Sequence, residues 1–237
     1  MSSRLYFRQW LSGRDVARGD EVAKEMRNFS YAIGDAETKV AVLVDPAHAP
    51  LELLAELEAD GMTLVGVIAT HYHADHVGGG FYGHHVNGIA ELVAAQPVPV
   101  HVQGIEAPYV EAGTGVGIPP VVPHEPGDVV LVGSIAVTLL HTPGHTPGSQ
   151  CLLVEGKLLT GDTLFLNGCG LTGRPESDAH ELYRSLHERL GELPDSLEIY
   201  AGHKYALKSS ASLGEVRSSN EVMAPLEFDE WVARYSA

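Results

Sequence analysis

The sequence predicts an α+β protein in which sheets are covered by helices. Strand-like and helix-like segments mix along the whole length, and no internal repeat or low-complexity segment interrupts them. With 44% hydrophobic and 19% charged residues, the chain has the balance of a protein that buries a core. Its 237 residues fall within the size of one large domain, 1–237, able to order itself without disulfide support.

Strands are expected at Leu5 to Trp10, Phe29 to Gly34 and Val40 to Asp45, the last two joined as a hairpin by Asp35-Ala36-Glu37-Thr38. Pro50 opens a helix with Leu51, Leu54 and Leu57 on one face and Gly61 as its stop. Thr63 to Thr70 is an apolar run that ends in histidines. Val86 to Ala95 reads as a helix and Val98 to Gln103 as a strand. Gly104 to Pro126 is rich in Gly and Pro and reads as a long loop covering a site. Four short strand-like runs follow between Asp128 and Asp162, broken at Gly133-Ser134, at Thr142 to Gly148 and at Glu155-Gly156. A helix spans Asp178 to Leu190: Asp178 and Glu181 have capping-box spacing, and Leu182, Leu186 and Leu190 form a stripe. Leu197 to Ala201 is a last strand, leading into Gly202-His203.

Fifteen Lys and Arg against 31 Asp and Glu give a net charge of −16 with no basic patch, which argues against nucleic acid as a partner. Two cysteines, Cys151 and Cys169, are too few for a disulfide framework, and a reduced cytoplasm is expected. Neither a signal peptide nor a membrane span is expected, because no apolar run reaches the required length.

The strongest chemical signal is His71-Tyr72-His73-Ala74-Asp75-His76, four ligand-type residues in six positions directly behind an apolar strand. Positions i and i+2 of an extended segment point the same way, so His71 and His73 can converge on one metal while Asp75 and His76 turn toward a second. Neutral imidazole and carboxylate suit zinc, iron or manganese. His145 in a Pro/Gly-rich turn, Asp162 and His203 each stand at a strand end, where related folds place their sites.

The order His-x-His-x-Asp-His, then Thr-Pro-Gly-His-Thr, Gly-Asp and Gly-His, resembles the metallo-β-lactamase superfamily from Phe29 to His203. The resemblance implies a four-layer αββα sandwich with two divalent metal ions between the sheets, zinc being expected and iron or manganese the alternatives. It also implies that His71, His73 and His145 hold one ion, that Asp75, His76 and His203 hold the other, and that Asp162 bridges them. Two such ions, roughly 3.5 to 4 Å apart, would acidify a shared water as the nucleophile and polarise a carbonyl, with Asp75 orienting the attacking oxygen.

Within the superfamily, Gly168-Cys169-Gly170, Leu193-Pro194-Asp195 and Gly202-His203-Lys204-Tyr205 look like the hydroxyacylglutathione hydrolase (glyoxalase II) and persulfide dioxygenase branch. Phe7-Arg8-Gln9 and a tail with Glu215, Asn220 and Phe228 resemble the dioxygenases. The chain departs from both at Leu171, where a basic residue usually helps bind glutathione, and in a longer Phe81 to Val93 segment. Thirty-four residues follow His203, fewer than the helical substrate domain of glyoxalase II. The expected function is therefore hydrolysis of a small thioester, ester or lactone, with persulfide oxidation at one iron held by two histidines and Asp162 as the alternative. A binding or scaffolding protein of the same fold would be marked by lost ligands, and none is missing.

A small-molecule partner, a thiol or thioester, is expected, with homodimerisation left open. Arg174, Lys204, Tyr205 and Arg217 are candidate substrate contacts, and His84-His85 lie close enough in sequence to reach the substrate. Cys169 reads as a small residue between glycines that lets the backbone pass close to the metals, since nothing basic adjoins it to stabilise a thiolate.

Overall fold

Strands buried on both faces read as nearly continuous apolar runs, as at Phe29–Asp35 and Val40–Val44. The computed structural model describes residues 4–114 and 121–236. The first sheet takes β1 (Leu5–Leu11), β2 (Phe29–Asp35), β3 (Val40–Val44) and β4 (Thr63–Ile68). A separate two-stranded hairpin follows, β5 (Gly79–Phe81) with β6 (His84–Val86), before β7 (Val100–Gln103) and β8 (Val121–His124) complete the sheet in the order β1-β2-β3-β4-β7-β8. The second sheet is built from β9 (Val129–Val132), β10 (Ile135–His141), β11 (Gln150–Val154), β12 (Lys157–Gly161), β13 (Glu198–Ala201) and β14 (Ala211–Ser212), ordered β14-β13-β12-β11-β10-β9.

Alternation along each strand divides the core into three layers. Phe29, Tyr31, Ile33, Val42 and Val44 meet Val130, Val137, Leu139, Leu152 and Leu159 between the sheets. The residues between them in sequence, Ala32, Ala41 and Leu43, face outward against α1 (Glu21–Met26), α2 (Pro50–Ala59), α4 (Ile89–Ala95) and α5 (Ala107–Thr114). On the far side of the second sheet, Cys151, Leu158 and Ile199 pack under α6 (Ala179–Arg184), α7 (Leu213–Ser219) and α8 (Phe228–Tyr235). The result is the expected αββα sandwich. Each fully buried Leu, such as Leu43 or Leu139, contributes about 1.5–3 kcal/mol of burial.

Four elements depart from the sequence reading. Helix α2 buries Leu53 and Leu57, whereas Leu51 is 52% exposed, so the helix is rotated from the face Leu51, Leu54 and Leu57 would define. Val86 belongs to β6, not to a helix, and α4 begins only at Ile89. Within the expected loop Gly104 to Pro126 lie helix α5 and strand β8; the part of that loop at 115–120 is outside the described residues. The helix after Asp178 keeps its N-cap, the carboxylate accepting from His180 N and Glu181 N, but it widens into a π turn at Ser185–Arg189 that still buries Leu186.

The sheet topology gathers the loops that carry chemistry. Strands β3 and β4 run parallel, as do β12 and β13, and β10 precedes the His145 turn. The segments that follow β3, β4, β10, β12 and β13 meet at one rim of the sandwich. Among the described residues, no helix is long and apolar enough to cross a membrane.

Candidate metal centre

Beyond β4 the chain turns at Ala69-Thr70 into His71, and the single helical turn α3 (Ala74–Val77) then buries Asp75 and His76. The first sheet thus supplies four ligand-type side chains, and the second supplies His145, Asp162 and His203, all buried. His71 Nε2 and His145 Nε2 each lie 3.0 Å from His73 Nδ1. His76 Nε2 lies 3.2 Å from His203 Nε2, and Asp75 Oδ2 is 3.3 Å from the same His203 atom. Between these sets sits Asp162, with Oδ1 3.3 Å from His76 Nε2 and Oδ2 at 3.3 Å from His203 Nε2 and 3.7 Å from His145 Nε2.

The hydrogen bonds around these residues suit metal ions. His76 Nδ1 faces Asp45 Oδ2 at 2.9 Å, His203 Nδ1 faces Met26 O at 2.8 Å, and His145 Nδ1 faces Leu171 O at 2.9 Å. His71 Nδ1 lies 3.0 Å from Thr70 Oγ1, whose own hydrogen goes to Asp45 Oδ2 at 2.6 Å. Each outer nitrogen therefore donates, and each inner nitrogen is the one that would present its lone pair to a cation. Inner nitrogens converging to 3.0–3.2 Å of one another are poorly matched as hydrogen-bond partners, and Asp162 Oδ1 is buried without a hydrogen-bond partner among the described residues. Cations satisfy such a set, and its imidazole and carboxylate donors fit divalent metals.

The electrostatics agree. Burial opposes charge on His76, but Asp162 and Asp75 outweigh it and raise its pKa to about 10. His203 is raised well above its ordinary value, again because Asp162 and Asp75 outweigh burial. Burial and the neighbouring imidazoles push His71 far down and His73 to about 4. Burial would also raise the carboxyls of Asp75 and Asp162, yet His76 and His203 hold both well below the usual carboxylate range. Two ionised, buried carboxylates make this a place that stabilises positive charge.

Several contributors carry no local sequence signal. Asp45 holds His76 and Thr70, and Asn28 donates to Asp75 Oδ2 at 3.1 Å while its carbonyl oxygen faces His48 Nε2 at 3.2 Å. Two glycines permit the close packing: a Cβ at Gly202 would overlap Asp162 Oδ1, and one at Gly170 would overlap Asp162 O and crowd His145. Gly170 N also donates to Asp162 O at 2.8 Å. The neighbouring Cys169 thiol is pushed up to about 12 by burial, so it stays protonated.

The candidate substrate contacts divide. Tyr205 stacks on His203 at 5.0 Å between centroids and lines a cleft of about 330 Å³ over the cluster, which Arg174 also lines. Lys204 instead turns its Nζ to Ala206 O and Leu207 O, and Arg217 is occupied by Asp195 and by the carbonyls of Leu190, Gly191 and Leu193. His85 is taken up by Glu91, and on the β5–β6 hairpin it is Phe81 and Tyr82, not the histidines, that line a cleft.

The chain matches the Metallo-beta-lactamase superfamily over residues 25–203. It is 35% identical over 197 residues to a hydroxyacylglutathione hydrolase of Alkalilimnicola ehrlichii, covering 81% of this chain and 68% of the relative. Persulfide dioxygenase ETHE1, mitochondrial, of Mus musculus is 30% identical over 228 residues, covering 93% of this chain and 81% of the relative. Among solved structures, ETHE1 from Myxococcus xanthus superposes with a TM-score of 0.78 at 28% identity, covering 96% of this chain and 88% of the other. Fold, donor set and matches agree: the chain belongs to the metallo-beta-lactamase superfamily, as a metal-binding enzyme of the branch that holds hydroxyacylglutathione hydrolases and persulfide dioxygenases.

Proposed function

We propose that this enzyme hydrolyses a small thioester, ester or lactone, with His71, His73 and His145 holding one ion, Asp75, His76 and His203 the other, and Asp162 bridging them. The observation that carries this reading is the position of Asp162 between two three-residue donor sets, the layout of a two-metal site. Zinc is the proposed ion, and the same donors accept iron or manganese. When bound, such a pair makes water acidic enough to attack at neutral pH and polarises a substrate carbonyl.

The chain's own groups do the rest. Asp75, ionised and held by Asn28, is placed to accept a hydrogen bond from the attacking water and aim it. The Tyr205 phenol, pushed up to about 12 by burial and by Asp162 and Asp75, stays protonated and can donate to a developing oxyanion. Phe165 and Leu171 line the same cleft and give it apolar surface for an acyl group. With the Cys169 thiol protonated, no covalent thioester with the protein is needed.

Metal analysis of protein purified without added metal, paired with a thioester panel, tests the proposal. About two ions per chain with thioester turnover supports it; wild-type protein inert toward every acyl substrate overturns it. Persulfide oxidation is the second reading, favoured by the 93% coverage of this chain by the mouse persulfide dioxygenase. Roughly one iron per chain, with oxygen uptake on adding glutathione persulfide, decides for it.

A further inference from the structure

Two clefts meet at the candidate metal centre. The one already described holds Asp162, His203 and Tyr205; a second, of about 470 Å³, extends beyond His73, and His73, Phe81 and Arg174 line both. Aromatic rings dominate the second cleft. Tyr72 and Tyr109 stack at 4.8 Å and 23°, while Phe81 and Tyr82 meet edge to face at 4.9 Å. Tyr82 is 81% exposed and stands at φ +45 in the two-residue turn of the β5–β6 hairpin, followed by Gly83 at φ +84. That turn type favours Asn-Gly, so a tyrosine there is held at a conformational cost. No packing need explains an aromatic placed in water at a strained position beside a cleft.

Arg174 stands where the clefts join. Its Nη1 lies 3.2 Å from His73 Nε2, and among the described residues it has no ion-pair partner. The nitrogen of His73 that faces His71 and His145 is Nδ1, so with Nδ1 ligating a metal, Nε2 must carry the hydrogen. Guanidinium only donates, which sets two donors against each other. Glu176 Oε1, 3.6 Å from the same Nε2, is the acceptor that suits it. With a metal on Nδ1, a slightly closer approach of Glu176 would take the His73 hydrogen and leave the Arg174 guanidinium for another partner. On a chain of net charge −16, an unpaired cation at the mouth of a site selects for an anion locally.

We propose that Arg174 binds a carboxylate carried by the substrate's acyl group, and that the Tyr72–Tyr109 stack with Phe81 and Tyr82 receives the apolar or aromatic body of that group. The substrate class is thus a thioester or ester of an apolar-bodied acid bearing a second carboxylate. The proposal rests on the metal-centre and hydrolase readings above, and it deepens them.

The test titrates metal-loaded full chain with 3-phenylpropanoate and with its neutral amide, by calorimetry, in wild type, Arg174→Gln, Arg174→Lys and Tyr109→Ala, with metal content and melting temperature recorded for each. Arg174→Gln is expected to lose about 10- to 100-fold in carboxylate affinity, with much less change for the amide. Arg174→Lys, which keeps the charge but not the planar fork, should lose less, and gives the answer if the Gln variant fails to fold. Tyr109→Ala should weaken both ligands. Carboxylate affinity unchanged in both Arg174 variants overturns the proposal, because the carboxylate then sits on the metals or elsewhere. Phenyl-bearing thioesters with and without a second carboxylate separate the two levels: hydrolysis of both at equal kcat/KM sinks this proposal alone, whereas hydrolysis of neither sinks the hydrolase reading and leaves the titrations to decide Arg174.

Discussion

Asp45 Oδ2 accepts from His76 Nδ1 at 2.9 Å and from the Thr70 hydroxyl at 2.6 Å, and Thr70 in turn faces His71 Nδ1. One aspartate that touches no inner donor atom thereby orients imidazoles of both donor sets. Asp45→Ala is expected to weaken metal retention about 10- to 100-fold, measured by competition with a chelator of known affinity. Unchanged retention would mean that packing alone fixes the two rings.

The two donor sets differ in what they lose. His203→Ala removes a side chain from one set only, so metal content should fall from about two ions to about one. Asp162→Ala removes the residue between them and should deplete both. Mass spectrometry of the native protein reads the stoichiometry directly, and equal depletion by the two variants contradicts the shared role of Asp162.

Acid sensitivity has a source away from this centre. Arg4 holds the buried Asp35 carboxyl well below the usual carboxylate range against the pull of burial, helped by Ser134 and by the backbone of Glu37. Ser134 lies in the β9–β10 turn, so this carboxylate ties the first sheet to the second. A depressed folded pKa contributes stability that is fully present above the unfolded value, about 3.9, and is lost as pH falls toward the folded one. Asp35→Asn should therefore be less stable than wild type at pH 7, and the gap should narrow below about pH 4. Urea midpoints at both pH values provide the check.

Trp231 tests the C-terminal helix. Its ring is wholly buried, packs edge-on to Tyr183 and donates from Nε1 to Val222 O at 2.8 Å. Trp231→Ala should cost about 3–5 kcal/mol in denaturant unfolding. A loss under about 1 kcal/mol would show that α8 docks too loosely to belong to the cooperative core.

The sandwich is legible where burial on both faces writes apolar runs, as in β2 and β3, and the seven ligand-type residues are legible because they stand just beyond strand-like segments. Elsewhere the local code is ambiguous. In α2, leucines at 51, 53, 54 and 57 offer two rival stripes, and only the neighbouring sheet chooses Leu53 and Leu57. Pro108 and Gly113 disguise α5 as loop, and Gly78-Gly79-Gly80 disguises the short hairpin that carries Tyr82. Asp45 could not be read at all: it ends an apolar strand, and its role arises from Thr70, 25 residues further on. Arg174 was visible as a cation, but that no carboxylate pairs with it among the described residues is a property of the folded chain.

Four donors come from the first sheet and three from the second, and that division reaches back to how the polypeptide is made. A nascent chain that has released His71 to His76 still lacks His145, Asp162 and His203, so it holds a fragment of a cage with no way to shut it. An ion held by donors from both sheets would then be captured only as one half docks on the other, so that its binding would be coupled to assembly as well as to chemistry.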